Sequence, residues 1–478
     1  MNKLSLATAL LLGTAIFAQA ADDLSSAFKD GKLDGRIRIN SINTDWDKNN
    51  EWGSSTSADS HGTAIGGSLI YQTAPLYGVS AGVGFYTTNP LGIDTVTDKT
   101  SKNTTASDLF SRGPGSTTNF GAGYSVLAQS FLQYDIAKSE IKGGRFLMTN
   151  PWINPNDTKM IPIAIEGASV VSKDIANTTI QLDYADKIKE RGMNYFGNMA
   201  DTGDTPDAIK NYYRTHYTTG TAVKGEAPGV AIIGVTNRSI NSLELQAWFM
   251  SWQTLVNQGR LEANFAVPAG DFILSFGARY MQQWDTGAGA IIKPGTTGSA
   301  TAINNKGDSD NSVATNLYAL RAVANYGAAK LMVAYSRTSS DGDVIAPWRA
   351  FPTDGYTRSM TQTDWNANTK AYKAQFDYDF NQYAKGLSTF VSYSFYDRDP
   401  SKIGYVSQTD RYYNNGNTRQ INWDVKYKVP SIKNLELKTR YMIQKNDIVT
   451  IAGGTASQGL AGNDTSNHEL RLEANYTF

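Results

Sequence analysis

The last eleven residues, His468-Glu-Leu-Arg-Leu-Glu-Ala-Asn-Tyr-Thr-Phe478, restrict the fold more than any other stretch of the chain. From Leu470 onward every even position is apolar (Leu470, Leu472, Ala474, Tyr476, Phe478) and every odd position is polar (Arg471, Glu473, Asn475, Thr477). A repeat of two is the side-chain period of a β-strand. One apolar face and one charged face, sustained over about ten residues, fit a strand with lipid on one side and water on the other. The terminal Phe478, with Tyr476 just before it, suits a membrane–water boundary, where aromatic rings settle.

The opposite end gives an address. Met1-Asn2-Lys3 is a short positive start, Leu4 to Phe17 is apolar, and Ala18-Gln19-Ala20 is a small-x-small cleavage site. Residues 1–20 are therefore expected to be a cleaved secretory signal peptide, leaving 21–478 as a single barrel domain. The apolar run falls short of the roughly twenty residues needed to span a bilayer as a helix, and no comparable run follows. Membrane residence must come from strands.

Alternating segments recur along the whole chain. The pattern predicts strands at 33–44, 63–73, 77–88, 124–136, 139–146, 162–174, 177–185, 230–236, 243–251, 260–267, 272–283, 316–326, 328–337, 371–380, 387–396, 420–429 and 435–444, and then the last one. The facing of 162–174 is ambiguous. Short gaps (74–76, 137–138, 175–176, 381–386, 430–434) exchange with long ones (45–62, 89–123, 147–161, 190–229, 285–315, 338–370, 397–419, 445–467). The expected fold is all-β: a transmembrane antiparallel β-barrel of about eighteen strands, with short periplasmic turns and long extracellular loops, in the outer membrane of a Gram-negative bacterium. Closure satisfies every backbone donor and acceptor in lipid.

Composition narrows the function. No Cys occurs, so neither disulfides nor thiolate metal sites are open to the chain. Without Lys3, 43 basic residues face 44 acidic ones, so no nucleic-acid partner is expected. The expected partners are outer-membrane lipid and lipopolysaccharide, with small hydrophilic solutes as cargo, for a monomer or homotrimer. No cofactor is expected. An enzyme is disfavoured because the three histidines, His61 and His216 in expected loops and His468 at the start of the last strand, stand in no nucleophile or metal-ligand spacing. The 307–311 stretch, Gly-Asp-Ser-Asp-Asn, lacks the spacing and distal Glu of an EF-hand and reads as a solvated turn. No metal site is assigned.

If apolar positions face lipid, the opposite parity faces the lumen. Its cations include Arg36, Arg38, Lys142, Arg279, Arg321, Lys330, Lys373, Lys426, Lys438, Arg440 and Arg471; its anions include Asp135, Asp183, Glu244, Glu262, Asp377, Asp424, Glu436 and Glu473. Guanidinium groups match carboxylates and stay charged, so these residues could form a track for carboxylate-bearing solutes. The alternative is that the charges merely neutralise one another and keep a general diffusion pore wet, with an added surface or adhesive role for the long loops. An empty eighteen-strand barrel would be a wide channel, so selectivity needs inward loops. The best candidate is 147–162, stiffened by three Pro, carrying apolar Trp152, Ile153, Met160 and Ile161 around Asn154, Asn156, Asp157 and Lys159. The second is 338–352.

Several segments resemble the OprD family of substrate-selective outer-membrane porins. They are Gln133-Tyr134, Ile141-Lys142-Gly143-Gly144-Arg145, Asn154 through Asp157 to Met160-Ile161-Pro162, Glu166-Gly167, Ser172-Lys173-Asp174, Lys187-Ile188-Lys189 with Arg191-Gly192, Asp341 through Trp348, and Lys370 through Lys373. The resemblance spans most of 21–478 and is densest over 124–192. It implies an eighteen-strand barrel whose third and seventh loops narrow the pore beside a basic ladder guiding carboxylates.

Overall fold

The computed structural model describes residues 21–47, 59–93, 109–111, 122–199, 229–253, 256–286, 314–342, 344–346, 348, 355–361, 363–399, 416–447 and 466–478; the expected signal segment, His216 and the 307–311 turn lie outside them. Among the described residues no helix is long and apolar enough to cross a membrane.

The strands are β1 (Lys32–Trp46), β2 (Ser60–Gln72), β3 (Val79–Pro90), β4 (Tyr124–Ile136), β5 (Ser139–Phe146), β6 (Ala164–Ser172), β7 (Thr178–Lys189), the two-residue β8 (Gly197–Asn198), β9 (Val230–Asn237), β10 (Leu243–Trp252), β11 (Val256–Ala269) and β12 (Phe272–Asp285). They continue as β13 (Asn316–Tyr326), β14 (Ala329–Thr338), β15 (Lys370–Asp379), β16 (Leu387–Asp397), β17 (Thr418–Lys428), β18 (Leu435–Asn446) and β19 (Asn467–Thr477). Every long strand pairs antiparallel with its sequence neighbours, and β1 pairs with β19 from Arg36↔Thr477 to Trp46↔Asn467. The short β8 only edges β7, so the cylinder has eighteen strands and no free edge.

The outer surface is what a soluble barrel could not tolerate. Ile37, Leu69, Phe85, Leu132, Leu261, Leu320, Leu331 and Trp423 stand exposed around the circumference, and they belong to a belt of apolar side chains far larger than a soluble surface carries. The polar residues that alternate with them, such as Asn40, Gln258, Gln283, Asn422 and Glu469, are buried inside. Each of the eight turns at the short-turn end carries a left-handed residue: Tyr77 and Gly78, Ala137, Asn177, Ser242, Gly270, Gly327, Gly386 and Asn434. Positive φ matches tight turns to the twist of the strands they join, and Gly and Asn reach it at least cost.

Four features differ from the sequence expectation. The strict exchange of short and long gaps fails once: β10 and β11 are joined at the long-loop end by residues 253–255 alone, because Trp252↔Val256 pairing continues the hairpin upward into an apolar cluster. Tyr77 lies in a turn at φ 51° rather than in β3. His61 is not a loop residue; it lies in β2, opposite Asn43 of β1. Two bulges also shift parity. The β3–β4 register skips Ala128, so Leu127 and Leu132 both face out although one is odd and the other even. A second bulge skips Asp186 of β7 opposite Glu166/Gly167, and the facing of 162–174 is ambiguous in the sequence because Ile163 and Ile165 are apolar residues buried in the inner cluster. Beyond the strands, the alternation gave no hint of helix α1 (Leu24–Lys29), capped by Asp23, whose carboxylate accepts from Ser26 N at 2.7 Å.

Candidate functional site

The β5–β6 connection, 147–163, is built by its asparagines. Asn150 Oδ1 accepts from the backbone N–H groups of Trp152 (3.0 Å) and Ile153 (2.8 Å), while its amide donates to Asp183 of β7 at 2.9 Å. Asn154 Oδ1 accepts from Asn156 N at 2.8 Å, and Asn156 takes φ 41°, a conformation Asn tolerates. Asn156 Oδ1 in turn accepts from Thr158 Oγ1 at 3.2 Å, so both side chains help shape the turn. With the backbone folded this way, Trp152 and Ile153 bury against Met250, Met281, Leu317 and Ala319, the inner-parity partners of lipid-facing Phe249, Tyr280 and Tyr318. Met160 and Ile161 bury in a second cluster with Ile42, Tyr86, Leu109 and Phe110.

The tip of this loop reaches β1. Asp157 receives Arg36 Nη1 at 2.5 Å and Arg38 Nη1 at 2.8 Å, so one carboxylate holds two guanidinium groups. Arg38 also donates to Asn475 Oδ1 at 2.5 Å and to the Lys159 carbonyl. The Lys159 side chain is buried. Burial, helped by the charges of Arg471 and Arg191 and opposed by Glu469 and Glu473, holds its ammonium well below the usual lysine range.

The β14–β15 connection, 339–369, is held by neutral and charged groups; the Arg398 guanidinium donates to Asn366 Oδ1 and, at 3.3 Å, to Thr363 O. Gln283 of β12 clasps it twice, donating to Ile345 O and accepting from Ile345 N, each at 2.8 Å. Trp348 stacks obliquely on Trp252 at 5.0 Å and donates to Met199 O at 2.7 Å. Tyr396 of β16 donates to Thr357 O at 2.7 Å. Tyr356 donates to Glu262 Oε1 at 2.9 Å, and burial plus that carboxylate push its phenol up to about 12. The Tyr356 ring lies beneath two guanidiniums, Arg279 at 4.6 Å and Arg321 at 4.3 Å.

The basic residues singled out in the sequence divide by partner. Arg279 bonds Glu262 at 2.7 Å, and Arg260 approaches the same carboxylate oxygen at 2.5 Å. Arg440 (2.7 Å) and Lys438 (3.7 Å) share Asp424. Arg145 and Lys187 share Glu166, each at 2.8 Å. Lys142 meets Glu140 at 3.1 Å and lies over Phe131 at 5.0 Å. Lys373 donates to the Arg358 carbonyl at 2.9 Å. Arg321 has only neutral partners among the described residues, Asn264 Oδ1 at 2.8 Å and the Tyr356 face. Sequence reasoning missed Tyr356, which lies beyond the expected 338–352 segment and carries no local signal of its role. It also missed that Asp157 belongs to Arg36 and Arg38, a pairing across 121 and 119 residues.

The OprD-family model, described as an outer membrane porin, matches residues 29–478. Three solved structures share the fold. Pseudomonas aeruginosa OpdK with vanillate is 14% identical, with a TM-score of 0.69 over 94% of this chain and 99% of that one. Acinetobacter baumannii OccAB2 is 18% identical, with 0.69 over 95% and 99%. P. aeruginosa OccK2 (OpdF) in complex with glucuronate is 14% identical, with 0.66 over 95% and 99%. No curated protein sequence matches the chain. A family model covering nearly the whole barrel places the chain in the OprD family of outer-membrane porins, channels rather than enzymes.

Proposed function

We propose that this channel passes small hydrophilic solutes by passive diffusion and favours those bearing a carboxylate, with 147–162 and 338–352 as the loops that narrow it. Arg321 carries the reading. Its guanidinium is only partly buried and is held in place by an amide and an aromatic face, so a solute carboxylate can take its fork without displacing a protein anion. Arg36 with Arg38 on Asp157, and Lys438 with Arg440 on Asp424, add places where two cations share one carboxylate. Vanillate and glucuronate, found in the structures of two similar proteins, each carry one carboxylate.

Planar-bilayer recording tests it. Replacing Arg279 and Arg321 together with Gln is expected to lower the anion-to-cation permeability ratio by roughly twofold. Unchanged reversal potentials in a salt gradient reject the assignment. Current block that saturates with a small organic acid separates this channel from a general diffusion pore, whose current would show no saturation.

A further inference from the structure

At the long-loop end, the barrel seam brings together residues that are far apart in the sequence. Asp45, Asp59 and His61 each offer a ligand atom, and these atoms lie within 4.8 Å of one another. His61 and Asp45 project from the outward parity of β2 and β1, the parity of Leu69 and Ile39, so they face away from the lumen. Asp45 is in register with His468 of β19, whose Nε2 lies 3.5 Å from Asp47 Oδ1. The two described histidines thus flank the same three-strand rim.

The two ring nitrogens of His61 meet different partners. Asn43 donates its amide to Ser41 Oγ at 3.4 Å, which turns Asn43 Oδ1 toward His61 Nδ1 at 3.2 Å. Nε2 lies 3.4 Å from Asp45 Oδ1, and in the tautomer that donates from Nδ1 to Asn43 it is the nitrogen that carries a lone pair. A ring N–H tied to a neighbouring amide oxygen is also how proteins orient a metal-binding imidazole. Asp59 is fixed as well, with Oδ1 accepting from Trp46 N at 2.8 Å.

We propose that Asp45, Asp59 and His61 form a binding site for a first-row divalent cation on the outer rim of the barrel. One imidazole and two carboxylates make a mixed nitrogen and oxygen set that suits Zn²⁺ and its neighbours; Mg²⁺ and Ca²⁺ prefer oxygen alone. The His61 side chain is 44% exposed and that of Asp45 63%, so an ion can enter from solvent, and water completes its coordination. Such an ion would tie β1 to β2 beside the closing strand pair without entering the pore.

The test is calorimetric titration of the detergent-solubilised protein with Zn²⁺ in a non-chelating buffer. One saturable site per chain is expected, unaffected by a roughly hundredfold excess of Mg²⁺. His61→Gln is expected to weaken binding by more than about tenfold and Asn43→Ala by about tenfold, while His468→Gln keeps full affinity. Unaltered single-channel conductance confirms that each variant is folded. Absence of saturable Zn²⁺ binding, or equal affinity in wild type and His61→Gln, overturns the proposal.

Discussion

The two inner loops reach the same cylinder by different physics. Loop 147–163 touches β1 through charge: Asp157 between Arg36 and Arg38. Loop 339–369 is fastened mostly by neutral contacts, the Gln283 clasp, the Trp348–Trp252 pair and Tyr396 on Thr357, joined by Tyr356 on Glu262 and by the Arg398 guanidinium on Asn366. This arrangement leaves Arg321 with neutral partners among the described residues, whereas Asp157 of the first loop occupies two of the cations it meets.

The largest break in that contrast should come from Trp348→Ala. A fully buried indole replaced by methyl leaves a cavity and costs about 3–5 kcal/mol. The second loop is expected to detach, raising conductance and protease sensitivity within 339–369 while the barrel stays intact. Conductance and cleavage pattern matching wild type would show that the indole does not hold the loop. Asp157→Asn keeps the shape and removes the charge. It leaves Arg38, whose side chain is 6% exposed, without its anion. Because Asp157 is itself partly exposed, the expected cost is about 2 kcal/mol, read as raised single-channel conductance together with stronger anion preference. A conductance change without a selectivity change would mean that Asp157 only props the loop.

The smallest effect sharpens the contrast through pH. Asp364, in the second loop, accepts from Thr357 Oγ1 at 3.3 Å, and burial pushes its carboxyl above the ordinary range. A carboxyl raised on folding binds more protons folded than unfolded, so stability falls as pH climbs from its unfolded value to its folded one. The second loop should therefore be tightest in acid and loosen toward neutrality. Asp364→Asn should remove that slope and tighten the loop at neutral pH, as followed by thermal melting across an acid-to-neutral series. A wild-type slope in the variant would assign the pH dependence elsewhere.

The strands were legible because lipid imposes a period of two on one face of every strand, whatever its neighbours. β4, β5 and β13 begin and end where the alternation does. It failed where geometry inserts an extra residue, at Ala128 and Asp186, since a bulge looks locally like a lapse in pattern. It failed again at 253–255, where inner-cluster contacts of Trp252 and Val256 extend a hairpin that periodicity alone ends earlier. At the site, Arg36, Arg38 and Arg321 could be named from residue type and parity, and Asp157 from the Pro-rich loop that carries it. Their partners could not, because which strand a loop meets across a cylinder depends on the stagger of every strand between. The Asp45–His61 juxtaposition was hidden for a related reason: its residues look like unrelated loop polar groups until β1 and β2 are set in register.

The β1–β19 ladder, finished by Gly35 and Phe478 exchanging hydrogen bonds at 2.8 and 3.0 Å, carries a lesson about biogenesis. The partner of the first strand is the last strand of the cylinder in chain order, so every intermediate without it exposes two raw sheet margins that invite pairing with a neighbour. Such a molecule cannot ripen piecemeal in open water; it has to be shielded until the closing strand arrives, and the β18–β19 hairpin acts as the latch.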